Sequence, residues 1–154
     1  MKLGRLNHIG VATPSIADSI AHYRETMGAI DITEPFDLPE QGVKVCFVNT
    51  PTCTGGADEA LDGALTGTQI ELIEPLDDQS PINGFLAKNP LGGQHHVCFE
   101  VADIAAAREW FEGQGKRILG PTRIGAHGTT IFFLHPKDMG GVLTEIMESP
   151  RQAH

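Results

Sequence analysis

The chain of 154 residues has the length of a single domain, with 40% hydrophobic and 20% charged residues, as is typical of globular proteins. Eleven Lys and Arg stand against twenty Asp and Glu, and the net charge of −9 disfavours a nucleic-acid partner. No apolar run approaches the roughly 18–20 residues that a membrane span needs. We therefore expect a globular protein that neither binds nucleic acid nor enters a membrane.

The cysteines indicate a reducing compartment. Their odd number and irregular spacing do not fit a disulfide framework, and Cys46 and Cys98 lie in apolar, strand-like runs. The first residues lead directly into a strand-like segment and show no apolar signal sequence. These features predict a cytoplasmic protein with reduced thiols.

The first half of the chain predicts one helix among four strands. Thr13 is the expected N-cap, with Pro14 at the first helical position and Gly28 at the C-terminal end. Ile16, Ile20, Tyr23 and Met27 follow at helical spacing between them. The strand-like stretches of this half are 5–12, 29–34, 43–49 and 68–74. A short helix is then expected from Ser80-Pro81 to about Lys88.

The same order returns in the second half. Asp103 is the expected N-cap of a helix whose buried stripe is Ile104, Ala107 and Phe111, and Gly115 ends it. The strand-like stretches of this half are 94–101, 116–119, 129–135 and 141–148.

The two halves read as copies of one module. Ile16 and Ile104 lie eight residues after His8 and His96, and the stretch 69–74 resembles 143–148. The first copy is longer by about the length of 50–63, a stretch rich in Gly, Thr and Asp that reads as an inserted surface loop. We predict an α+β fold in which two paired βαβββ modules form a curved mixed sheet around a metal cleft. The single domain 1–154 would comprise module one at about 4–79, a linker at 80–93 and module two at about 94–150.

Each copy places a histidine in its first strand and a glutamate in its last. If the modules pair about a pseudo-twofold axis, His8, Glu71, His96 and Glu145 converge. Imidazole nitrogen and carboxylate oxygen suit Co²⁺, Ni²⁺, Mn²⁺ or Zn²⁺, and open coordination positions would be left for water or substrate. The alternative to a metal site is that each of these four residues is an ordinary strand residue without a ligand, as we expect for Glu74 and Glu148.

Strand alternation selects between the adjacent histidines. His96 shares a face with Cys98 and Glu100, whereas His95 shares the apolar face with Val97. We predict His96 as the ligand and His95 as a packed neighbour. His127, in a Gly-Ala-His-Gly loop, is equally consistent with substrate contact and with an ordinary loop position.

These residues resemble the vicinal oxygen chelate superfamily, whose members pair two βαβββ modules around a divalent metal. Within it, the chain is similar to the methylmalonyl-CoA epimerase family over about residues 6–148. The supporting stretches are Leu6–Ala12, Glu40–Val43, Ile70–Leu76, Ser80–Ile82 with Phe85–Leu86, His95–Val97, Ile124–Gly128, Phe133–Asp138 and Gly140–Glu145.

The resemblance implies epimerisation of (R)- and (S)-methylmalonyl-CoA by removal of the α-proton, with a divalent ion (Co²⁺ first; Ni²⁺, Mn²⁺ or Zn²⁺ otherwise) stabilising the enolate. It makes Glu145 both a ligand and one acid/base group. Many members carry a second glutamate where this chain has Val45. Lys44 is adjacent but has the opposite strand parity, so we expect it to be a solvated surface residue. Glu40, a bound water or the substrate carboxylate are therefore the alternatives for the second group.

Two other functions fit parts of the pattern. A glyoxalase I-type lyase would use the same His and Glu ligands on the hemithioacetal of methylglyoxal and glutathione. A ligand-binding module of the superfamily usually lacks a complete ligand quartet. The partners implied by the resemblance are an acyl-CoA substrate, whose phosphates Lys88, Arg123 or Lys137 could meet, and a second copy of the chain in a homodimer.

Overall fold

The structure is a computed structural model that describes residues 1–52 and 67–150. The predicted inserted loop at 50–63 lies, from residue 53 onward, outside the described residues. The chain divides into two compact units. The N-terminal unit is His8–His95, and the C-terminal unit combines Met1–Asn7 with His96–His154.

The order β-α-β-β-β occurs twice, as the sequence predicts, with one short helix between the two runs. The strands are β1 (Leu6–Ala12), β2 (Phe36–Leu38), β3 (Val43–Val48), β4 (Gln69–Pro75), β5 (Gly93–Val101), β6 (Ile118–Ile124), β7 (Thr130–Leu134) and β8 (Thr144–Glu148). The α-helices are α1 (Ile16–Ala21), α2 (Asn83–Lys88) and α3 (Ile104–Gly113). No helix in the described part of the chain is long and apolar enough to cross a membrane.

In the N-terminal unit, β4 is the central strand between β1 and β3. It runs parallel to β1 and antiparallel to β3, and β2 pairs with the far side of β3. The core forms where α1 covers this sheet, because the helix turns its apolar stripe inward. Its buried members are Ile16, Cys46, Val48 and Leu72.

The C-terminal unit repeats this arrangement. The strand β8 runs parallel to β5 and antiparallel to β7, and β6 pairs with β7. The helix α3 covers one face through Ile104, Ala107 and Phe111, as predicted, and Phe111 packs edge-on against Phe132. The opposite face has its own smaller cluster of Cys98, Ile131 and Met147.

Two local predictions in the first copy are wrong. The N-cap of α1 is Ser15, whose side chain accepts a hydrogen bond from the Asp18 amide, rather than Thr13. The Thr13 hydroxyl instead accepts from the Ser15 amide and bonds with the Ser19 hydroxyl. The expected strand at 29–34 contributes only an isolated bridge, between Ile32 and Val48. In both places a side chain takes the backbone hydrogen bond: the Thr13 hydroxyl accepts the Ser15 amide, and the Thr33 hydroxyl accepts the Phe47 amide.

The predicted helix-terminating glycines are confirmed. Gly28 and Gly115 both have φ of +71°, in the left-handed region that a side chain disfavours. The Asp103 cap is also confirmed, because its carboxylate accepts a hydrogen bond from the Ala106 amide at 2.9 Å.

Candidate metal centre

The N-terminal unit contains a buried pair formed by His8 and Glu71. His8 lies on β1 and Glu71 on β4, and the parallel pairing of these strands brings the two side chains together. The distance from His8 Nε2 to Glu71 Oε2 is 3.1 Å, and the side chains are 0% and 9% exposed.

The C-terminal unit contains an equivalent pair formed by His96 on β5 and Glu145 on β8. The distance from His96 Nε2 to Glu145 Oε2 is also 3.1 Å, with the side chains 3% and 5% exposed. The structure therefore joins the four residues singled out in the sequence into two pairs, one within each unit.

The two pairs share one strand register. Glu71 is the pairing partner of Gly10, two residues beyond His8, and Glu145 is the partner of Cys98, two residues beyond His96. Because side chains alternate along a strand, an offset of two places each histidine and glutamate on the same face of its sheet. The duplication thus preserves a spatial donor pair as well as the order of residue types.

A phenylalanine stands opposite each glutamate on its antiparallel side. Phe47 of β3 pairs with Glu71, and Phe133 of β7 pairs with Glu145. The Phe133 ring also meets the His96 imidazole edge-on, with centroids 5.5 Å apart. Each ring therefore lies on the same face of the sheet as the carboxylate with which its residue pairs. This repeat is not visible in the sequence, because Phe47 and Phe133 lie at different distances from their glutamates.

The donor set and its spacing fit a divalent transition metal. Two adjacent ligands, each about 2.1 Å from an ion and about 90° apart, are about 3.0 Å from one another. The 3.1 Å separation in both pairs agrees with this value. Imidazole nitrogen with carboxylate oxygen suits borderline ions better than the thiolate-preferring ones.

The neighbouring His95 has a different environment from His96. It is half-buried, and its ring meets Phe85 of α2 edge-on at 5.2 Å between centroids. Phe99 and Val101 lie four and six residues after His95 on the same face of β5, and they pack with the α3 core, as predicted for the apolar face. This is the packed-neighbour environment expected for His95.

The second glutamate of each terminal strand has a structural function. Glu74 Oε2 accepts a hydrogen bond from the Ile16 amide at 2.8 Å, and Glu148 Oε1 accepts one from the Ile104 amide at 3.5 Å. Each carboxylate thus lies at the N-terminus of its unit's helix, where a negative charge is favourable. The sequence predicted Glu74 and Glu148 to be ordinary strand residues. Their capping function becomes visible only when each helix is packed on its sheet.

Glu100 is, besides Glu145, the other buried carboxylate in the described part of the C-terminal unit, 8% exposed. It accepts hydrogen bonds from Arg5 Nε and Asn7 Nδ2, both at 2.8 Å, and from the Ser149 hydroxyl at 3.3 Å. Burial raises the pKa of this carboxyl, but the bonds from Arg5, Asn7 and Ser149 outweigh burial and bring it below its usual value. Glu100 therefore stays ionised and ties both ends of the chain to β5.

Val45 occupies the position at which the resemblance places a second glutamate, and it lies in the core. It is fully buried on β3 and pairs with Phe36 and Ile73, so this position offers no acid/base group. Lys44, next to it, is half-buried and pairs with Glu74, and Glu40 is exposed in the short 3₁₀ turn Pro39–Gln41.

The remaining loop histidines lie in the C-terminal unit. His127 is half-buried in a turn closed by a hydrogen bond from the Gly128 amide to the Gly125 carbonyl. His135 caps the 3₁₀ turn Pro136–Asp138, because its Nδ1 accepts a hydrogen bond from the Lys137 amide at 3.1 Å.

The chain resembles known proteins along most of its length. Residues 7–133 match the model of the Glyoxalase/Bleomycin resistance protein/Dioxygenase superfamily. A Cereibacter sphaeroides protein named ethylmalonyl-CoA/methylmalonyl-CoA epimerase is 45% identical over 94% of this chain and 97% of its own. A solved variant of Streptomyces coelicolor methylmalonyl-CoA epimerase, in complex with 2-nitronate-propionyl-CoA, is 32% identical, with a TM-score of 0.81 over 97% of this chain and 100% of its own.

A solved methylmalonyl-CoA epimerase in complex with methylmalonyl-CoA and NH4+ is 33% identical, with a TM-score of 0.80 over 96% of each chain. These likenesses confirm the predicted fold class, since they include both βαβββ runs.

Proposed function

The chain belongs to the Glyoxalase/Bleomycin resistance protein/Dioxygenase superfamily, and we propose that this protein interconverts (R)- and (S)-methylmalonyl-CoA. Relatives 43–45% identical to it are named methylmalonyl-CoA epimerases, which makes it an isomerase of the racemase and epimerase kind. The observation that carries the proposal is the pair of buried His–Glu donors repeated in one register.

The proposed metal ligands are His8, Glu71, His96 and Glu145. Each unit supplies one imidazole and one carboxylate with a spacing that fits adjacent ligands. Co²⁺ is the ion we favour, with Ni²⁺, Mn²⁺ and Zn²⁺ as alternatives, since this donor set does not separate them strongly. When bound, such an ion supplies Lewis-acid stabilisation of the negative charge that develops on the thioester oxygen.

The protein's own residues would prepare proton transfer. The carbon between thioester and carboxylate is weakly acidic, so its proton needs a base held at fixed distance in a site that excludes water. Glu145 is proposed for this function, because its carboxylate is 5% exposed and held between His96 and the Phe133 strand. Inversion also needs a proton donor on the opposite face, for which Glu40, a water or the substrate carboxylate are the candidates.

The decisive test compares Glu145→Gln with Glu71→Gln. The two glutamates occupy the same register in the two units, and an amide oxygen still offers a ligand atom while it cannot accept a proton. We expect Glu145→Gln to lower kcat by about 100-fold or more with metal retained, and Glu71→Gln to keep most activity. Equal losses in both variants would contradict the proton-transfer assignment for Glu145.

The reaction itself is tested with purified wild-type protein in deuterated water. We expect exchange of the α-proton of methylmalonyl-CoA, at a rate that follows the content of divalent metal. Formation of lactoylglutathione from methylglyoxal and glutathione, without exchange into methylmalonyl-CoA, would instead establish the glyoxalase I-type alternative. Protein that holds no metal and turns over neither substrate would be a binding module.

A homodimer and a cytoplasmic location complete the proposal. Cys46 and Cys98 are both buried in strands, and burial raises the pKa of the Cys46 thiol. This supports a reducing compartment. The mass in solution, measured by light scattering, tests the dimer.

A further inference from the structure

The two units carry very different charge. His8–His95 contains three Lys and Arg against thirteen Asp and Glu, a net charge of −10. Met1–Asn7 with His96–His154 contains eight Lys and Arg against seven Asp and Glu, a net charge of +1. The N-terminal unit repels the anionic groups of a phosphorylated ligand, whereas the C-terminal unit does not. Electrostatics therefore favours the C-terminal unit as the place where such groups bind.

Part of that positive charge is concentrated around one ion pair. The Arg117 guanidinium binds the Asp138 carboxylate through two contacts, Nε to Oδ2 at 2.8 Å and Nη2 to Oδ1 at 3.0 Å. The Arg117 amide adds a third bond to Oδ2 at 2.9 Å. Asp138 is therefore neutralised locally, and the turn that carries it is fixed against the start of β6.

Two further cations, Lys116 and Lys137, adjoin this pair. Lys137 lies in the same turn and is exposed, and Lys116 is close enough to lower the pKa of the Asp138 carboxyl, together with the stronger effect of Arg117. His135 is part of the same turn, and because its Nδ1 accepts the Lys137 amide, the ring nitrogen left to donate is Nε2. Lys137 and His135 of this turn, and Lys116 next to Arg117, thus flank an Arg–Asp pair whose two charges balance.

We propose that this cationic cluster, Lys116, His135 and Lys137, binds phosphate groups of the acyl-CoA substrate. The inference rests on the proposed function for its ligand class. The sequence offered Lys88, Arg123 and Lys137 as residues that could meet the phosphates, and the inference selects Lys137. Lys88 belongs to the strongly acidic unit, and the Arg123 guanidinium folds back over its own strand, with Nη2 3.1 Å from where a Cβ at Gly120 would lie.

The test measures binding of free coenzyme A by titration calorimetry, independently of turnover. We expect Lys116→Gln and Lys137→Gln each to weaken coenzyme A binding about fivefold, as for a partly exposed ion pair, and the effect to shrink at higher salt. Lys88→Gln is the matched control, an exposed lysine of the other unit, and we expect no change.

Kinetics with two substrates separate phosphate recognition from a general disturbance. The two variants should raise KM for methylmalonyl-CoA about fivefold with kcat unchanged, and leave the kinetics with methylmalonyl-pantetheine, which lacks the nucleotide phosphates, as in wild type. Wild-type affinity in both lysine variants, an equal loss in Lys88→Gln, or an equal loss with the pantetheine substrate would overturn the inference.

The outcomes distinguish this inference from the proposed function. Weaker coenzyme A binding in the lysine variants of a protein without epimerase activity supports the cluster and contradicts the function. Full epimerase activity with unchanged coenzyme A binding in both variants supports the proposed function and contradicts the cluster. A wild-type protein that does not bind coenzyme A at millimolar concentration contradicts the cluster.

Discussion

The N-terminal and C-terminal units share a plan and differ in charge. Both hold a histidine and a glutamate in the same register, a phenylalanine opposite that glutamate, and a second glutamate at the N-terminus of the helix. Yet one unit has a net charge of −10 and the other +1. The shared features are those that place the donor atoms, and the proposed metal site draws one histidine and one glutamate from each copy. The charge difference is one basis of the proposal that the substrate phosphates bind the C-terminal unit.

The units also differ in how their helices are built. The helix α1 has six residues and continues into a π-helical turn, His22–Thr26, whereas α3 runs regularly for ten residues. A short helix gains little from its own propensity and depends on packing and capping. We therefore expect the N-terminal unit to be the more sensitive to loss of its cap.

The largest effect is expected from removing a histidine of either donor pair. His8→Ala and His96→Ala should both abolish retention of a divalent metal and lower epimerase activity by at least about 100-fold, since each removes a direct ligand. His95→Ala is the neighbouring control, and it should keep the metal and lose about 1 kcal/mol through its contact with Phe85.

Elemental analysis of purified variants, with thermal unfolding, measures both consequences. A variant His8→Ala that retains full metal content would break the equivalence of the two units. Loss of metal in His95→Ala but not in His96→Ala would show that the strand alternation assigns the wrong histidine.

A smaller effect is expected from Glu100→Gln, which has no equivalent in the N-terminal unit among the described contacts. Loss of the charge-assisted bonds to Arg5 and Asn7 should lower the free energy of unfolding by about 2 kcal/mol. Because the native pKa of Glu100 is lowered, its contribution is complete above the unfolded value near ~4.3 and is lost as the pH falls through the native value.

Urea unfolding between acid and neutral pH measures this dependence. The wild-type free energy should rise through the acid range and then level off, and Glu100→Gln should show a shallower rise. Glu112→Gln, which removes an exposed partner of Arg108, is the control and should change stability little. A pH dependence identical in wild type and Glu100→Gln would contradict the ionised network.

The smallest effects concern the two helix-capping carboxylates. Glu74→Ala should cost about 1 kcal/mol, and Glu148→Ala about 0.5 kcal/mol, because the first bond to a helix amide is 2.8 Å and the second 3.5 Å. Thermal unfolding of both variants, with the exposed α3 residue Glu109→Ala as reference, measures the difference. A larger loss for Glu148→Ala would reverse the ranking of the two units.

The sequence by itself determined the repeat, the order of elements and the residue types of the donor pairs. Hydrophobic spacing and glycine positions located α3 and both helix ends, because these signals are local. The expected strand at 29–34 failed because a few apolar residues do not determine whether a ladder forms or only one bridge, which depends on the partner strand.

Only the tertiary structure decided the interactions between strands distant in the chain. The offset of two residues between each histidine and its glutamate, the phenylalanine opposite each carboxylate, and the capping of α1 and α3 by Glu74 and Glu148 depend on strand pairing and helix packing. The same holds for the anchoring of Arg117 by Asp138, next to which Lys116 and Lys137 lie. Sequence periodicity shows which face a residue is on, but the partner on that face is set by register, and register is a property of the folded sheet.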